Sequence, residues 1–136
     1  MAKVSGLGGV VSIADAGGTA RTITNDCTNW ALTTPRATQD ITGIDKSANE
    51  TLLLLADFSL TLNGVFNAAA NMSHAVFSSV PSTSVTRACS FQVTSTGSTL
   101  ATNSVLTDYQ VTRANTGELT WQVPGQLADG SVPTWT

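Results

Sequence analysis

His74 is the single histidine of this 136-residue chain, and it lies far in sequence from any candidate nucleophile. A Ser-His-Asp arrangement needs that imidazole beside an activated serine, and the chain has no G-x-S-x-G turn to present one. Three carboxylates, Asp57, Asp108 and Glu118, are of the type that flanks a glycosidic bond during acid–base cleavage. Each lies in or beside a stretch of alternating residues, where a carboxylate on the wet face of a strand is the simpler reading. Cys27 and Cys89 are far apart and show neither CxxC nor Cys/His spacing, so no zinc site is expected. Two buried free thiols are expected, a disulfide being the alternative. Gly6-Leu7-Gly8-Gly9 lacks the lysine of a P-loop and the last glycine of a dinucleotide fingerprint. The sequons at Asn49 and Asn71 are what chance supplies in a chain this rich in Ser and Thr. These residues point away from catalysis: no enzyme, cofactor or metal is expected.

The elements that hold these residues are built from an unusual composition. Hydrophobic residues make up 41% of the chain and charged ones only 11%, so 22 threonines and 14 serines must do much of the solvation. Threonine is β-branched and suits a pleated surface, which favours a β protein. The net charge is −3 and the pI about 4.7. The six cations, Lys3, Arg21, Arg36, Lys46, Arg87 and Arg113, are scattered singly, which excludes a surface made to grip nucleic acid. MAKVSGLGG lacks the apolar centre of a signal peptide, and the longest leucine run, 52–55, is far below a membrane span, so no membrane partner is expected.

Short strands are expected at Val10–Ile13, at Arg21–Ile23, and at Cys27–Thr33 with Trp30 and Leu32 on one face. Pro35 ends the last of these. Residues 34–51 read as a long polar loop, and loops of that length tend to be functional. From Leu52 to Asn63 the chain reads as one long strand, with Phe58, Leu60 and Leu62 alternating with Asp57, Ser59, Thr61 and Asn63. A helix is expected over 67–80, capped by Asn67, with Ala69, Met72, Val76 and Val80 as its apolar stripe and Pro81 closing it. Alternation returns at Val85–Val93, at Val105–Arg113 and, after an Asn-Thr-Gly turn, at Leu119–Val123. The tail from Gly125 has no period, though Val132 and Trp135 could pin it to the body or to a neighbour. The expected architecture is one domain over 1–136, mainly β. It is a β-sandwich or open barrel of about seven to eight strands with one flanking α-helix and a long interaction loop.

The block DITGIDKSANETLLLLADFSLTLNGVFN (40–67) carries a resemblance to a known family. SVTR (84–87), the tyrosine strand before TGELTW (116–121), and DGSVPTW (129–135) add to it. In this order of elements the chain resembles the major tail tube protein of long-tailed, non-contractile bacteriophages of the actinobacteriophage type. The resemblance implies a structural virion protein that forms rings of six, stacked into a tube through which double-stranded DNA passes without specific binding. The implied partners are further copies of the chain, the tape measure protein, and the tail terminator and distal tail proteins. The implied location is the virion tail, assembled in the host cytoplasm. Asp40, Thr42, Asp45, Lys46 and Glu50 would then be inter-ring contacts, and Asp57, Ser59, Thr61, Asp108 and Glu118 would line a polar to acidic lumen. Two other classes fit the same residues. One is a head–tail connector or capsid decoration protein, which would not polymerise into stacked rings. The other is a carbohydrate-binding adhesive β-sandwich, which would cluster its aromatics, whereas the three Trp and one Tyr here are scattered.

Overall fold

The computed structural model describes residues 3–136; Met1 and Ala2, at the head of the segment read for a signal peptide, lie outside them. The strands are β1 Val10–Ala14, β2 Ala20–Thr22, β3 Cys27–Thr33, β4 Arg36–Asp40, β5 Thr51–Ala56 and β6 Ser59–Val65. After the helix α1 Ser73–Phe77 come β7 Arg87–Gln92, β8 Thr99–Leu106, β9 Gln110–Arg113, β10 Leu119–Leu127 and β11 Thr134–Trp135. Nine strands form one antiparallel sheet along β2-β1-β7-β8-β10-β6-β3, with β9 added to β10 and β11 to β8. β4 and β5 pair only with each other. The chain is mainly β, as its composition implies, and the sheet is open rather than closed into a barrel.

Alternation decides which side of the sheet is dry. Val11, Ile13, Phe58, Leu60, Leu62, Cys89, Phe91, Trp121 and Val123 all point into one core. The sheet curls enough for its distant strands to meet across that core: Trp30 of β3 and Phe91 of β7 have ring centroids 5.8 Å apart. β10 makes the curl possible by changing neighbours along its length. Leu119–Gln122 pair with β9, whereas Gly125–Leu127 pair with β8. Pro124 sits at the changeover, where its missing N–H leaves no ladder position unfilled, and its carbonyl accepts from Thr107 N–H at 3.1 Å. The same changeover splits the single strand expected over Val105–Arg113 into β8 and β9.

The helix is five residues long rather than spanning 67–80. Asn67 is not its cap. Its side-chain oxygen accepts from Ala69 N–H, its amide donates to Asp26, and Asn71 at φ 64° breaks any helical path between them. Ala69 is consequently exposed rather than part of an apolar stripe. The buried carboxylate of Asp26 instead accepts from Ser73 N–H at 3.1 Å and holds the start of α1. The other end is tied by Arg87, only 2% exposed, whose guanidinium donates to the carbonyls of Val76 at 2.8 Å and Ala14 at 3.2 Å and to the Ser79 hydroxyl at 3.1 Å. With these bonds to main chain on both sides, the guanidinium belongs to the core. β11 pins the tail to β8 of its own chain through Thr134↔Ala101 and Trp135↔Leu100.

Candidate functional site: a projecting β-ribbon and an uncharged sheet face

The segment read as a loop over 34–51 and the strand read over 52–63 form one structure. β3 pairs with β6 from Cys27↔Gly64 to Thr33↔Ser59. The ladder then carries on past the edge of the body, through Asp57 N–H to Pro35 carbonyl at 2.9 Å, Arg36↔Ala56 and Asp40↔Thr51, to Ile41 N–H on Glu50 carbonyl at 2.9 Å. The result is a two-stranded ribbon whose inner half lies in the sheet and whose outer half, β4–β5, projects from it. At about 3.3 Å per residue the outer half reaches roughly 20 Å. Within β4, Arg36 also clamps the partner strand by donating through Nε and Nη2 to Leu54 carbonyl, at 3.2 and 2.8 Å.

The leucines of β5 are the feature that sequence reasoning passed over. By alternation Leu52 and Leu53 take opposite faces of the ribbon, and a bulge opposite Ala37 interrupts the period at Leu54 and Leu55. All four are exposed, at 45%, 54%, 38% and 85% in chain order. Ile41 and Ile44 at the tip are exposed as well. An isolated two-stranded ribbon is marginal in water, and this one carries leucines on both faces, with nothing among the described residues covering them. The available signal was a four-leucine run with no period, directly followed by a segment, 57–63, that alternates strictly.

Of the five residues expected to act in the loop, the structure brings three together. Thr42 donates its N–H to Asp40 Oδ1 at 3.0 Å and its hydroxyl to the same oxygen, and that hydroxyl accepts from Glu50 N–H at 2.7 Å. The Thr42 hydroxyl, followed by its N–H, holds the Asp40 carboxyl below its ordinary 3.8. Asp40, Thr42 and Glu50 thus form a clasp that shapes the ribbon end. Asp45 and Lys46 occupy the exposed turn beyond it, closed by Lys46 N–H on Gly43 carbonyl at 3.1 Å.

The other five candidates are divided. Ser59 and Thr61 lie on β6 and turn away from the core, on the outer face of a four-strand patch β9-β10-β6-β3. Asp57 sits at the junction of β5 and β6, where it accepts from Phe58 N–H at 2.7 Å. Asp108 is in the turn between β8 and β9, accepting from Tyr109 N–H at 2.8 Å, and Glu118 is in the β9–β10 hairpin. Continuing the register puts Asp57 and Glu118 beyond opposite ends of β6, so the three carboxylates share no row and cannot work as a pair. His74 packs against Phe66, ring centroids 4.6 Å apart, with Nδ1 3.3 Å from the Tyr109 hydroxyl. Both cysteines are free; burial pushes the Cys27 thiol up to about 11 and the Cys89 thiol to about 12.

The outer face of the patch bears no charge within its strands. Asn29↔Asn63, Asn63↔Gln122 and Gln122↔Gln110 are paired in register, so four carboxamides form one row across four neighbouring strands. Asn63 Nδ2 donates to Asn29 Oδ1 at 2.6 Å. The row lies in a shallow depression of about 400 Å³ flanked by Thr28, Thr112 and Thr120. β3 and β9 border the patch and, among the described residues, have no strand on their outer sides.

No protein-family model matches the sequence, and no curated protein does. Solved structures match the fold from end to end. A chain of a structure described as the virion of a native gene transfer agent particle aligns over 98% of this chain and 99% of its own, with a TM-score of 0.76 at 14% identity. A chain of the tail of an empty gene transfer agent particle, in C6 symmetry, aligns over 98% and 99% with a TM-score of 0.73 at 15% identity. The fold is that of chains in phage-like tail particles. A chain of the six-fold symmetrised baseplate of the anti-feeding prophage aligns over all of this chain and 96% of its own, with a TM-score of 0.67 at 14% identity. At these identities the likeness is one of fold.

Proposed function

We propose that this chain is a structural protein of a phage tail and, more specifically, a tail tube subunit that forms rings of six stacked into a conduit for DNA. The observation that carries the proposal is the projecting ribbon, with leucines on both faces that no other described residue covers. Such a ribbon needs a second surface, and further copies of the same chain supply it most simply. The free edges of β3 and β9 fit the same reading: β9 of one copy laid along β3 of the next satisfies both rows of unpaired backbone groups, and closing a ring removes the edges altogether. Six-fold order accords with the C6 tail and six-fold baseplate that share the fold. Such a chain acts in the virion tail as a building block and carries out no catalysis. Its further contacts would be with the tape measure and with the proteins at the two ends of the tube.

In this reading the ribbon bridges rings while the body builds each ring. Negative-stain electron microscopy of the purified protein should show rings or hollow tubes of even width. Deleting residues 42–49 removes the clasp partner Thr42 and the turn, and should leave folded subunits or single rings that fail to stack. Full-length tubes from that variant would overturn the role given to the ribbon, and a monodisperse monomer at high concentration from the intact chain would overturn the tube.

A further inference from the structure

Asparagine is depleted in strand interiors, yet the row Asn29–Asn63–Gln122–Gln110 puts a carboxamide on each of four adjacent strands at one level. We infer that this row is part of the wall facing the passing duplex, and that the wall is neutral: it offers DNA hydrogen bonds without charge. The inference rests on the tube reading and differs from the polar to acidic lining expected from Asp57, Asp108 and Glu118, which the fold sets in junctions and turns at strand ends.

Each kind of wall acts differently on a polyanion. Cations on the wall would hold phosphates by counterion release, with an affinity that falls steeply with salt. An acidic wall would repel DNA at low salt and lose that repulsion as ions screen it over about 8–10 Å. Carboxamides do neither. Their N–H groups can reach phosphate oxygens, but water competes and each net gain is small, of order 1 kcal/mol. Contacts of that size break as readily as they form, which suits a surface past which a polymer slides. The next two rows towards Ser59 agree with this. Ala31, Thr61 and Pro124 form one, and Thr33, Ser59 and Gln126 the next, again without charge. With β9 of one copy beside β3 of its neighbour, Gln110 approaches the Asn29 end of the next row and the carboxamides continue around the ring.

The test uses assembled tubes mixed with a short fluorescent duplex and then treated with nuclease, so that only duplex inside the tube survives. Wild-type tubes should protect duplex at about the level of free entry, with little dependence on salt. Gln122→Lys tubes should protect at least about tenfold more at 50 mM salt and lose the excess by 200 mM, and Gln122→Glu tubes should protect several-fold less than wild type at 50 mM. Ser90→Lys, on the outer face of β7, should leave the protected amount unchanged. Asn63→Lys, in the same row as Gln122, repeats the measurement if the Gln122 variants assemble poorly. Equal protection by wild type, both Gln122 variants and Asn63→Lys would show that this face is not the wall. Protected duplex in wild-type tubes that is released by salt would show a gripping wall. Absence of tubes from the wild-type chain, seen by microscopy before any DNA is added, would instead remove the tube reading itself.

Discussion

Leu55→Thr separates what the ribbon does for its own chain from what it does between chains. Leu55 exposes 85% of its surface in the isolated subunit. Burying a leucine fully is worth about 1.5–3 kcal/mol, so covering this one in an assembly contributes about 2 kcal/mol, nearly all of it lost with threonine. At 1.4 kcal/mol per factor of ten, the critical concentration for assembly should rise about 30-fold. Threonine is β-branched and suits a strand, and the leucine contributes almost nothing inside the subunit. The unassembled chain should therefore unfold within about 0.5 kcal/mol of wild type. Sedimentation across a concentration series gives the first quantity, and denaturant unfolding of the unassembled chain below its critical concentration gives the second. An unchanged critical concentration together with more than about 1 kcal/mol lost from the subunit would refute the reasoning, because Leu55 would then be covered within its own chain.

Two further outcomes test the fold that holds the ribbon and the wall. A methyl group at Gly64 would lie 2.2 Å from Asp26 carbonyl oxygen and 2.4 Å from Trp121 Cζ2. Neither neighbour can easily yield, because Asp26 carbonyl accepts from Val65 N–H and Trp121 Nε1 donates to Val65 carbonyl. Gly64→Ala should therefore cost about 3 kcal/mol, the upper end for overpacking, read as a lower unfolding midpoint. The thiols give a pH signature. Cys27 and Cys89 are raised from 9.0 to about 11 and about 12, so the folded state holds their protons longer than the unfolded state. The stability tied to them is complete below pH 9 and falls as pH rises from 9 towards 12. At pH 8 both thiols should react with a thiol reagent far more slowly in the native chain than after unfolding, and rapid native labelling of Cys89 would contradict its burial.

The sequence made the dry side of the sheet legible wherever a strand keeps its period. Phe58, Leu60 and Leu62, Cys89 and Phe91, and Trp121 and Val123 all fall inside as alternation requires. It failed where structure depends on a partner strand. β4, Arg-Ala-Thr-Gln-Asp, is exposed at every position and has no hydrophobic period; only its ladder with β5 makes it a strand. The expected helix failed for a local reason: Asn67 and Asn71, plausible within or at the end of a helix, are engaged in a turn and a left-handed residue. At the candidate site, Ser59 and Thr61 lie on the face that period two assigns them. The carboxamide row was invisible, since its members come from four separated segments and only register aligns them.

Because the inner and outer halves of the ribbon are a single pair of strands, the projecting arm and the sheet form one beam. A load applied at Ile44 has no flexible linker in which to dissipate. It passes through the ladder at Pro35 and Asp57 into β3 and β6, the strands that carry Asn29 and Asn63. In a stack of such subunits, bending at one level would be passed by these beams to the next, so the column would bend as one continuous rod rather than hinge between levels.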